Sequence, residues 1–250
     1  MQQPCLVLHN PRMDGESDVR DAGMLFEDRE DAGRRLAGLL EPYANERPVV
    51  FALPRGGVPV GAEVSRSLGA PLEVIVSRKL GAPGQPEFGI GAVAPGGVRI
   101  LNERVVRALG IPEDYLDWVS KRESEEADRR LRLFRGDRPY PDLKKRTAIL
   151  VDDGLATGVT ARAALLALRR LNPRRLVLAV PVCAPQTAEL MRPETDDLIC
   201  LLMPDDLEAV GLWYRNFEQV PDEEVVRLLE EAQGPARADS AEEGAGPAER

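Results

Sequence analysis

Residues 148–160 read AILVDDGLATGVT, and this stretch decides both the fold and the site. An apolar run ends in Asp152 and Asp153, and a turn rich in glycine and threonine follows at once. The run is typical of a strand that is buried on both faces, as strands of parallel sheets are. The turn is typical of the start of a helix. The stretch therefore predicts that two acids and a helix N-terminus meet where open parallel sheets bind ligands.

The two halves of this stretch suit different parts of a ligand. Free backbone N–H groups and the positive end of a helix suit a phosphate. Ionised carboxylates only accept hydrogen bonds, so Asp152 and Asp153 suit a diol or a hydrated cation. We therefore expect a ligand with a phosphate at one end and hydroxyls a few ångströms away. An ordinary strand-to-helix turn with acids as surface caps is the alternative.

The same stretch resembles the phosphoribosyl pyrophosphate (PRPP) signature of the type I phosphoribosyltransferases, with every key position filled. The resemblance implies catalytic roles for Asp152 and Asp153, which would bind the ribose diol, hold Mg²⁺ through water and stabilise positive charge on the ring. The residues implied to bind the 5-phosphate are Gly154, Ala156, Thr157, Gly158, Val159 and Thr160.

Three other motif families fit this chain less well. A Walker-type phosphate loop needs a lysine where Val159 stands. A receiver domain with paired acids needs a later lysine, and none follows Lys145. Residues 89–94 match a dinucleotide fingerprint as a string, but the expected strand before them and helix after them are lacking. None of these readings competes with the PRPP signature.

A second loop follows the first apolar strand, at residues 53–57, and reads LPRGG. Gly56 and Gly57 let a backbone approach an anion closely, and Arg55 adds a planar fork of donors. The loop resembles the pyrophosphate loop of the same family, in which a cis peptide often occurs; the sequence leaves open whether one occurs here. A plain turn is the alternative.

Residues 77–88 read SRKLGAPGQPEF and place Arg78 and Lys79 at the end of a strand. The glycines and prolines that follow predict a long irregular segment over about 80–97, and loops of such length are often functional. The segment resembles the family's mobile catalytic loop. That resemblance implies catalytic roles for Arg78 and Lys79, with Lys79 also binding pyrophosphate. Solvation of a strand end is the alternative.

The acceptor site is less clearly marked. Trp213, Tyr214 and Phe217 lie within five residues of a chain with few aromatics, and they suit stacking on a planar base. A hydrophobic seam that holds the last helix explains the cluster equally well. Family members that act on hypoxanthine or guanine usually carry an acid where Ala156 stands, so the resemblance disfavours those two bases.

Composition limits the classes of function. A net charge of −9 argues against a nucleic-acid surface, and no apolar run has the length of a membrane span. Cys5, Cys183 and Cys200 lack metal-ligand spacing and are typical of reduced thiols. With no recognisable secretory signal, they predict a cytoplasmic protein. His9 is the only histidine and lies in a predicted leader, which disfavours histidine chemistry.

Strands that alternate with helices predict an α/β fold with a doubly wound, mainly parallel sheet, and the resemblance implies a Rossmann-like core with a small hood. We expect a flexible leader over 1–23, the phosphoribosyltransferase domain over 24–233 and a disordered tail over 234–250. The hood is expected from the N-terminal helix and about 197–220.

The resemblance implies a Mg²⁺-dependent pentosyltransferase of the nucleotide-salvage type. Its reaction would transfer ribose 5-phosphate from PRPP to a purine or pyrimidine base, with release of pyrophosphate. We expect a homo-oligomer, in its simplest form a dimer, without nucleic-acid or membrane partners. A regulator that binds PRPP or a nucleotide without transfer is the alternative. Arg78 and Lys79 favour the enzyme, because a sensor does not assist a leaving group. A PRPP-forming kinase is disfavoured for want of an ATP site.

Overall fold

The computed structural model describes residues 5–9, as backbone only, and residues 25–233. The strands are β1 Cys5–His9, β2 Val49–Ala52, β3 Leu72–Val74, β4 Arg78–Ala82, β5 Gln85–Ala94, β6 Val98–Leu101, β7 Thr147–Val151, β8 Arg175–Val182 and β9 Asp197–Leu202. The α-helices are α1 Arg29–Leu40, α2 Gly57–Leu68, α3 Glu103–Ala108, α4 Glu113–Arg135, α5 Val159–Arg170, α6 Pro185–Met191 and α7 Asp222–Gln233. In this part of the chain, no helix is both long and apolar enough to cross a membrane.

Within the described residues, the main sheet has six strands in the order β1-β9-β8-β7-β2-β3. Every neighbouring pair in it is parallel. β7 lies inside the sheet, and all five of its residues are buried. Its side chains alternate between faces. Ile149 and Val151 pack with residues of α1 and α2, and Ala148 and Leu150 pack with residues of α5. The predicted α/β fold with a mainly parallel sheet is confirmed.

The order of the strands brings two loops together. β2 and β7 are neighbours in register, with Val49 opposite Ala148 and Ala52 opposite Val151. Each strand then leads into a helix, α2 after β2 and α5 after β7. Because parallel strands end at the same edge, the loops over 53–56 and 152–158 lie side by side. This edge is where the sequence predicts the site.

A separate antiparallel sheet, β4-β5-β6, corrects the prediction of a long irregular segment over about 80–97. The glycines there permit close strand contact instead of preventing regular structure. A Cβ on Gly81 would lie 2.5 Å from the Pro86 oxygen, and one on Gly91 would lie 2.2 Å from the Ile100 oxygen. Gly84 has φ +70° in the turn between β4 and β5.

This antiparallel sheet is a small subdomain formed outside the residues from which the hood is predicted, and that prediction stays untested apart from the start of its second segment. Residues Asp197–Leu202 form β9 of the main sheet. The N-terminal helix α1 packs closely on α2, because a Cβ on Gly33 would lie 2.8 Å from the Val60 oxygen. The sequence pattern missed the subdomain because its strands are formed by residues that usually end strands.

The predicted flexible leader is wrong at residues 5–9, which form β1 and pair in parallel with β9. The run Cys5-Leu6-Val7-Leu8 is short and apolar, as strand segments are. The residues around it contain proline, glycine and charges without a sustained period, which is why the whole of 1–23 is predicted as a leader. The rest of the predicted leader and the predicted tail over 234–250 lie outside the described residues.

We predict that Gly91→Ala disrupts the antiparallel sheet, because the added methyl group would overlap the backbone of β6. The expected loss is about 1–3 kcal/mol of unfolding free energy. Hydrogen exchange of the β5 and β6 amides, followed by mass spectrometry, should become faster.

Gly38→Ala is the matched control, since nothing lies within 4 Å of a Cβ there. That change in an exposed helix position should stabilise the protein by about 0.5–1 kcal/mol. Unchanged exchange in Gly91→Ala would mean that β5 and β6 accommodate the methyl group without weakening their pairing.

Candidate active site

The acid pair is held by contacts from distant parts of the chain. Asp153 Oδ2 accepts a hydrogen bond from Arg29 Nε at 2.9 Å, and the side chains of this ion pair are only 16% and 11% exposed. The Tyr214 hydroxyl donates to the Asp153 carbonyl oxygen at 2.6 Å. The Asp153 N–H donates to Asp152 Oδ1 at 2.9 Å. Both the backbone and the side chain of Asp153 are therefore fixed.

The electrostatics of this pair favour a positively charged or donating ligand. Burial raises the pKa of the Asp152 carboxyl well above its usual range, and the charge of Asp153 raises it further. Burial also raises the pKa of Asp153, although Arg29 opposes that shift. Burial and the charge of Asp153 raise the pKa of Tyr214, which therefore stays a donor. Each acid would be stabilised in its ionised form by one more cation or hydrogen-bond donor.

The loop after β2 lies directly against the acid pair. A Cβ on Gly56 would fall 1.9 Å from Asp153 Oδ2, and one on Gly57 would fall 2.8 Å from the Val151 carbonyl oxygen. Only glycine permits this approach. The structure thus brings together two segments that the sequence identified separately, with their backbones in contact.

Arg55 lies in the same loop and contacts α7. The peptide bond between Pro54 and Arg55 is cis, which the sequence left open. Arg55 Nη1 lies 3.6 Å from Asp222 Oδ1 at the start of α7, and the Arg55 side chain is 30% exposed. The guanidinium is therefore accessible, with one acidic neighbour.

The turn before α5 is tied to the next strand and helix. Leu155 donates its N–H to the Val182 carbonyl oxygen at 2.8 Å, and Thr187 Oγ1 donates to the carbonyl oxygen of Ala156. Gly158 has φ +66°, and a Cβ there would lie 2.6 Å from Thr187 Cγ2. No side chain caps α5. Its first backbone N–H groups have no partners within the helix, so they are available to an anion.

The remaining predicted phosphate-binding residues lie in or beside this turn. Val159 and Thr160 are the first residues of α5, and Thr157 is exposed. A Cβ on Gly154 would lie 2.6 Å from Val210 Cγ1, so the segment after β9 packs on the start of the turn. All six residues therefore lie on one short segment at the carboxyl edge.

The predicted aromatic cluster divides into a buried part and an exposed part. Trp213 is buried, and its carbonyl oxygen accepts the Phe26 N–H at 2.9 Å. Tyr214 packs between Phe26 and Phe217, with centroid distances of 5.2 and 4.9 Å. Phe217 is 36% exposed, and the Arg29 guanidinium lies 3.8 Å from its centroid. Trp213 therefore belongs to the hydrophobic seam, and Phe217 is the accessible ring.

Sequence reasoning missed Arg29, which joins the acid pair to this aromatic cluster. Arg29 Nη1 also donates to the Glu218 carbonyl oxygen at 2.7 Å. It is separated from Asp153 by 124 positions, so no local motif contains both. One signal was present: an arginine is the first residue of α1, where the helix dipole favours acids.

The structure does not join Arg78 and Lys79 to the acid pair. Arg78 donates from Nε to Glu123 Oε2 of α4 at 3.0 Å, and its Nη2 lies 2.9 Å from the same oxygen in an ion pair. Lys79 Nζ donates to the Glu87 carbonyl oxygen at 2.9 Å. Among the described residues, no contact links either cation to the acids. Their catalytic roles stay a prediction.

The chain is similar to proteins that carry a related domain. The model of the phosphoribosyl transferase domain matches residues 26–212. Two Mycobacterium tuberculosis proteins, named "Putative phosphoribosyl transferase MT0597" and "Putative phosphoribosyl transferase Rv0571c", are each 45% identical over 221 residues. This match covers 88% of the chain but 49% of each mycobacterial protein, so the chain spans about half their length.

One solved structure is similar over nearly its whole length. The protein TT1426 from Thermus thermophilus is 42% identical, with a TM-score of 0.70. The match covers 82% of this chain and 98% of that one. The shared fold thus extends over most of this chain.

We predict that Arg29 and Asp153 are energetically coupled. A double-mutant cycle with Arg29→Gln, Asp153→Asn and the double variant should give a coupling of about 1–3 kcal/mol, because the pair is largely buried. The measurement is urea unfolding followed by circular dichroism. The exposed pair Arg34–Glu30 is the matched control and should couple by less than about 0.5 kcal/mol. Additive effects at Arg29 and Asp153 would show that the contact is energetically neutral.

Proposed function

The chain belongs to the phosphoribosyl transferase domain family, and on that premise we propose that it transfers ribose 5-phosphate from PRPP to a nitrogenous base, with release of pyrophosphate. One observation carries the proposal. Gly56 and Gly57 pack against Asp152 and Asp153, so the predicted pyrophosphate loop and the predicted ribose site share one surface. A ligand with phosphates at both ends of a ribose suits that surface.

In this proposal the chain positions the sugar and needs no covalent nucleophile. The N-terminus of α5 and the turn over 154–160 bind the 5-phosphate. Asp152 and Asp153 accept hydrogen bonds from the ribose hydroxyls and stabilise positive charge as the ring approaches an oxocarbenium-like transition state. Arg55 and the loop over 55–57 offset the charge of the departing pyrophosphate.

The acid pair also fits Mg²⁺. This ion is usually held by one or two carboxylates, with water and substrate phosphates as its other ligands. Asp152 and Asp153 supply two carboxylates, and burial raises the pKa of each despite the opposing charge of Arg29, so a bound cation would favour their ionised forms. In the described residues, no group of three or more His, Cys, Asp or Glu side chains could enclose a metal. The site therefore suits an ion shared with the substrate, where it would neutralise pyrophosphate charge.

The space beside Arg29 suits the acceptor. A cavity of about 230 Å³ is lined in part by Arg29, Pro59 and Val220. Arg29 connects this cavity to Asp153 on one side and to the ring of Phe217 on the other. We propose that the acceptor is a purine or pyrimidine base, as in nucleotide salvage, bound near this arginine and ring.

The direct test is a screen for pyrophosphate release with PRPP, Mg²⁺ and a panel of purine and pyrimidine bases. Release with one base would establish both the reaction and the acceptor. PRPP binding by calorimetry without release for any base would favour the alternative, a regulator that binds PRPP or a nucleotide. Absence of PRPP binding would contradict the transferase, and also a regulator that binds PRPP.

We predict that Asp153→Asn lowers transfer by about a hundred- to a thousandfold, because it removes one preorganised charge from the ring. The protein should stay folded, since the amide keeps the shape of the side chain. Pyrophosphate release is the measurement, and circular dichroism verifies the fold. Asp137→Asn, an exposed position in the turn after α4, is the control and should leave transfer unchanged. Full activity in Asp153→Asn would remove the acid pair from the mechanism.

We predict that Lys79→Ala lowers kcat more than it weakens PRPP binding, if the cation acts on the leaving pyrophosphate. Steady-state kinetics and PRPP titration separate the two effects. Lys144→Ala, also at an exposed position, is the control. An unchanged kcat with weaker binding alone would assign Lys79 to binding of the ground state.

A further inference from the structure

A cavity of about 580 Å³ lies between the β4–β5 hairpin and α4, and the proposed reaction gives no role to its aromatic wall or to Arg122. Its lining includes Arg78, Lys79, Trp118, Arg122 and Glu123, and none of the residues at the acid pair. Its volume falls in the range of cavities that bind small molecules. The chemistry of the lining indicates which small molecule.

One carboxylate orients two arginines at this cavity. Glu123 is only 7% exposed. Its Oε2 accepts from Nε of Arg78 at 3.0 Å and lies 2.9 Å from Nη2 of the same guanidinium, and its Oε1 accepts from Nε and Nη2 of Arg122 at 3.1 and 2.8 Å. In the described part of the chain, neither Nη1 makes a hydrogen bond. Two fixed guanidiniums thus share one negative charge and keep donors for an anion.

A third cation adds to this excess of positive charge. Lys79 lines the cavity, where one of its three N–H donors binds the Glu87 carbonyl oxygen at 2.9 Å. Its acidic neighbour, the Glu87 carboxylate, is 98% exposed at a distance of 3.7 Å. Such an exposed pair is screened and weak, so Lys79 remains available to a stronger anion. The chain as a whole carries a net charge of −9, which makes this local cluster unusual for its surface.

Aromatic rings complete the cavity. Trp118 is 55% exposed, and the Arg122 guanidinium lies 4.7 Å from its ring centroid. Tyr115 packs 5.7 Å from Trp118, and its hydroxyl donates to the Gly81 carbonyl oxygen at 3.0 Å, which fixes the cavity wall. A large exposed ring beside cations is a suitable platform for a nucleobase, since every base has a face that stacks.

We propose that this cavity binds a nucleoside monophosphate, with its base against Trp118 and its phosphate on Arg78, Lys79 and Arg122. This site lies apart from the acid pair, shares only Arg78 and Lys79 with the predicted catalytic residues, and does not depend on transfer. Arginine clusters suit phosphate oxygens because their donors form a planar fork. Free phosphate or ribose 5-phosphate would satisfy the cations but leave the exposed indole without a partner.

Intrinsic fluorescence tests the proposal, because the chain has only two tryptophans and Trp213 is buried. The titration uses full-length Thr157→Glu, in which a negative charge at an exposed position keeps phosphates off the turn before α5. Adenosine, uridine and guanosine monophosphates, adenosine, ribose 5-phosphate and inorganic phosphate are the probes. We expect saturable quenching by a monophosphate, with one molecule bound per chain by calorimetry.

Variants assign the binding to named groups. Arg122→Gln should weaken binding about tenfold or more, the effect of losing a charged donor. Trp118→Phe should abolish the fluorescence change while calorimetry still detects binding. Arg129→Gln, an exposed arginine on the same helix that pairs with Glu126, is the matched control and should bind normally. Circular dichroism verifies that each variant is folded.

Several outcomes would overturn the proposal. Wild-type affinity in Arg122→Gln would do so, as would equal affinity for inorganic phosphate and every nucleotide. Loss of all binding in Thr157→Glu, together with full competition by PRPP in the unmodified chain, would place the nucleotide at the acid pair only. Failure of the PRPP-dependent transfer assay would leave this binding result unaffected.

Discussion

The close contact between the loop after β2 and the acid pair after β7 is the constraint on which the site depends. Gly56 and Gly57 have no Cβ, and any larger residue would occupy the space of Asp153 Oδ2 or the Val151 carbonyl oxygen. The Leu53 N–H donates to that same carbonyl at 2.9 Å and fixes the distance between the strands. Two loops that are nearly a hundred residues apart therefore form one surface.

The core of this site could be predicted from sequence because its signals are local. The apolar run of β7 is continuous since both faces of the strand are covered, and the glycines of 154–158 mark the turn. The loop over 55–57 follows β2 in the same way. Parallel pairing then places both loops at one edge, so two short motifs and a strand order were enough to predict that these loops adjoin.

The remaining parts depend on contacts that sequence patterns do not show. Glycine is normally a strand breaker, whereas Gly81 and Gly91 occupy positions where another backbone approaches too closely for a side chain. Arg29 reaches Asp153 only because α1 packs on α2. The strand over 5–9 is stabilised by pairing with β9, which is almost two hundred residues away. Long-range packing decides each of these features.

The pairing of Arg78 bears on its predicted role in catalysis. To reach pyrophosphate at the acid pair, this arginine must leave Glu123, and a buried carboxylate without a partner costs about 3–5 kcal/mol. Arg122 removes most of that cost, because its guanidinium donates to the other oxygen of Glu123 and stays in place. The free-energy cost of separating Arg78 from Glu123 then approaches that of breaking a partly exposed ion pair, about 1 kcal/mol or less. The second arginine therefore makes release of the first one energetically feasible.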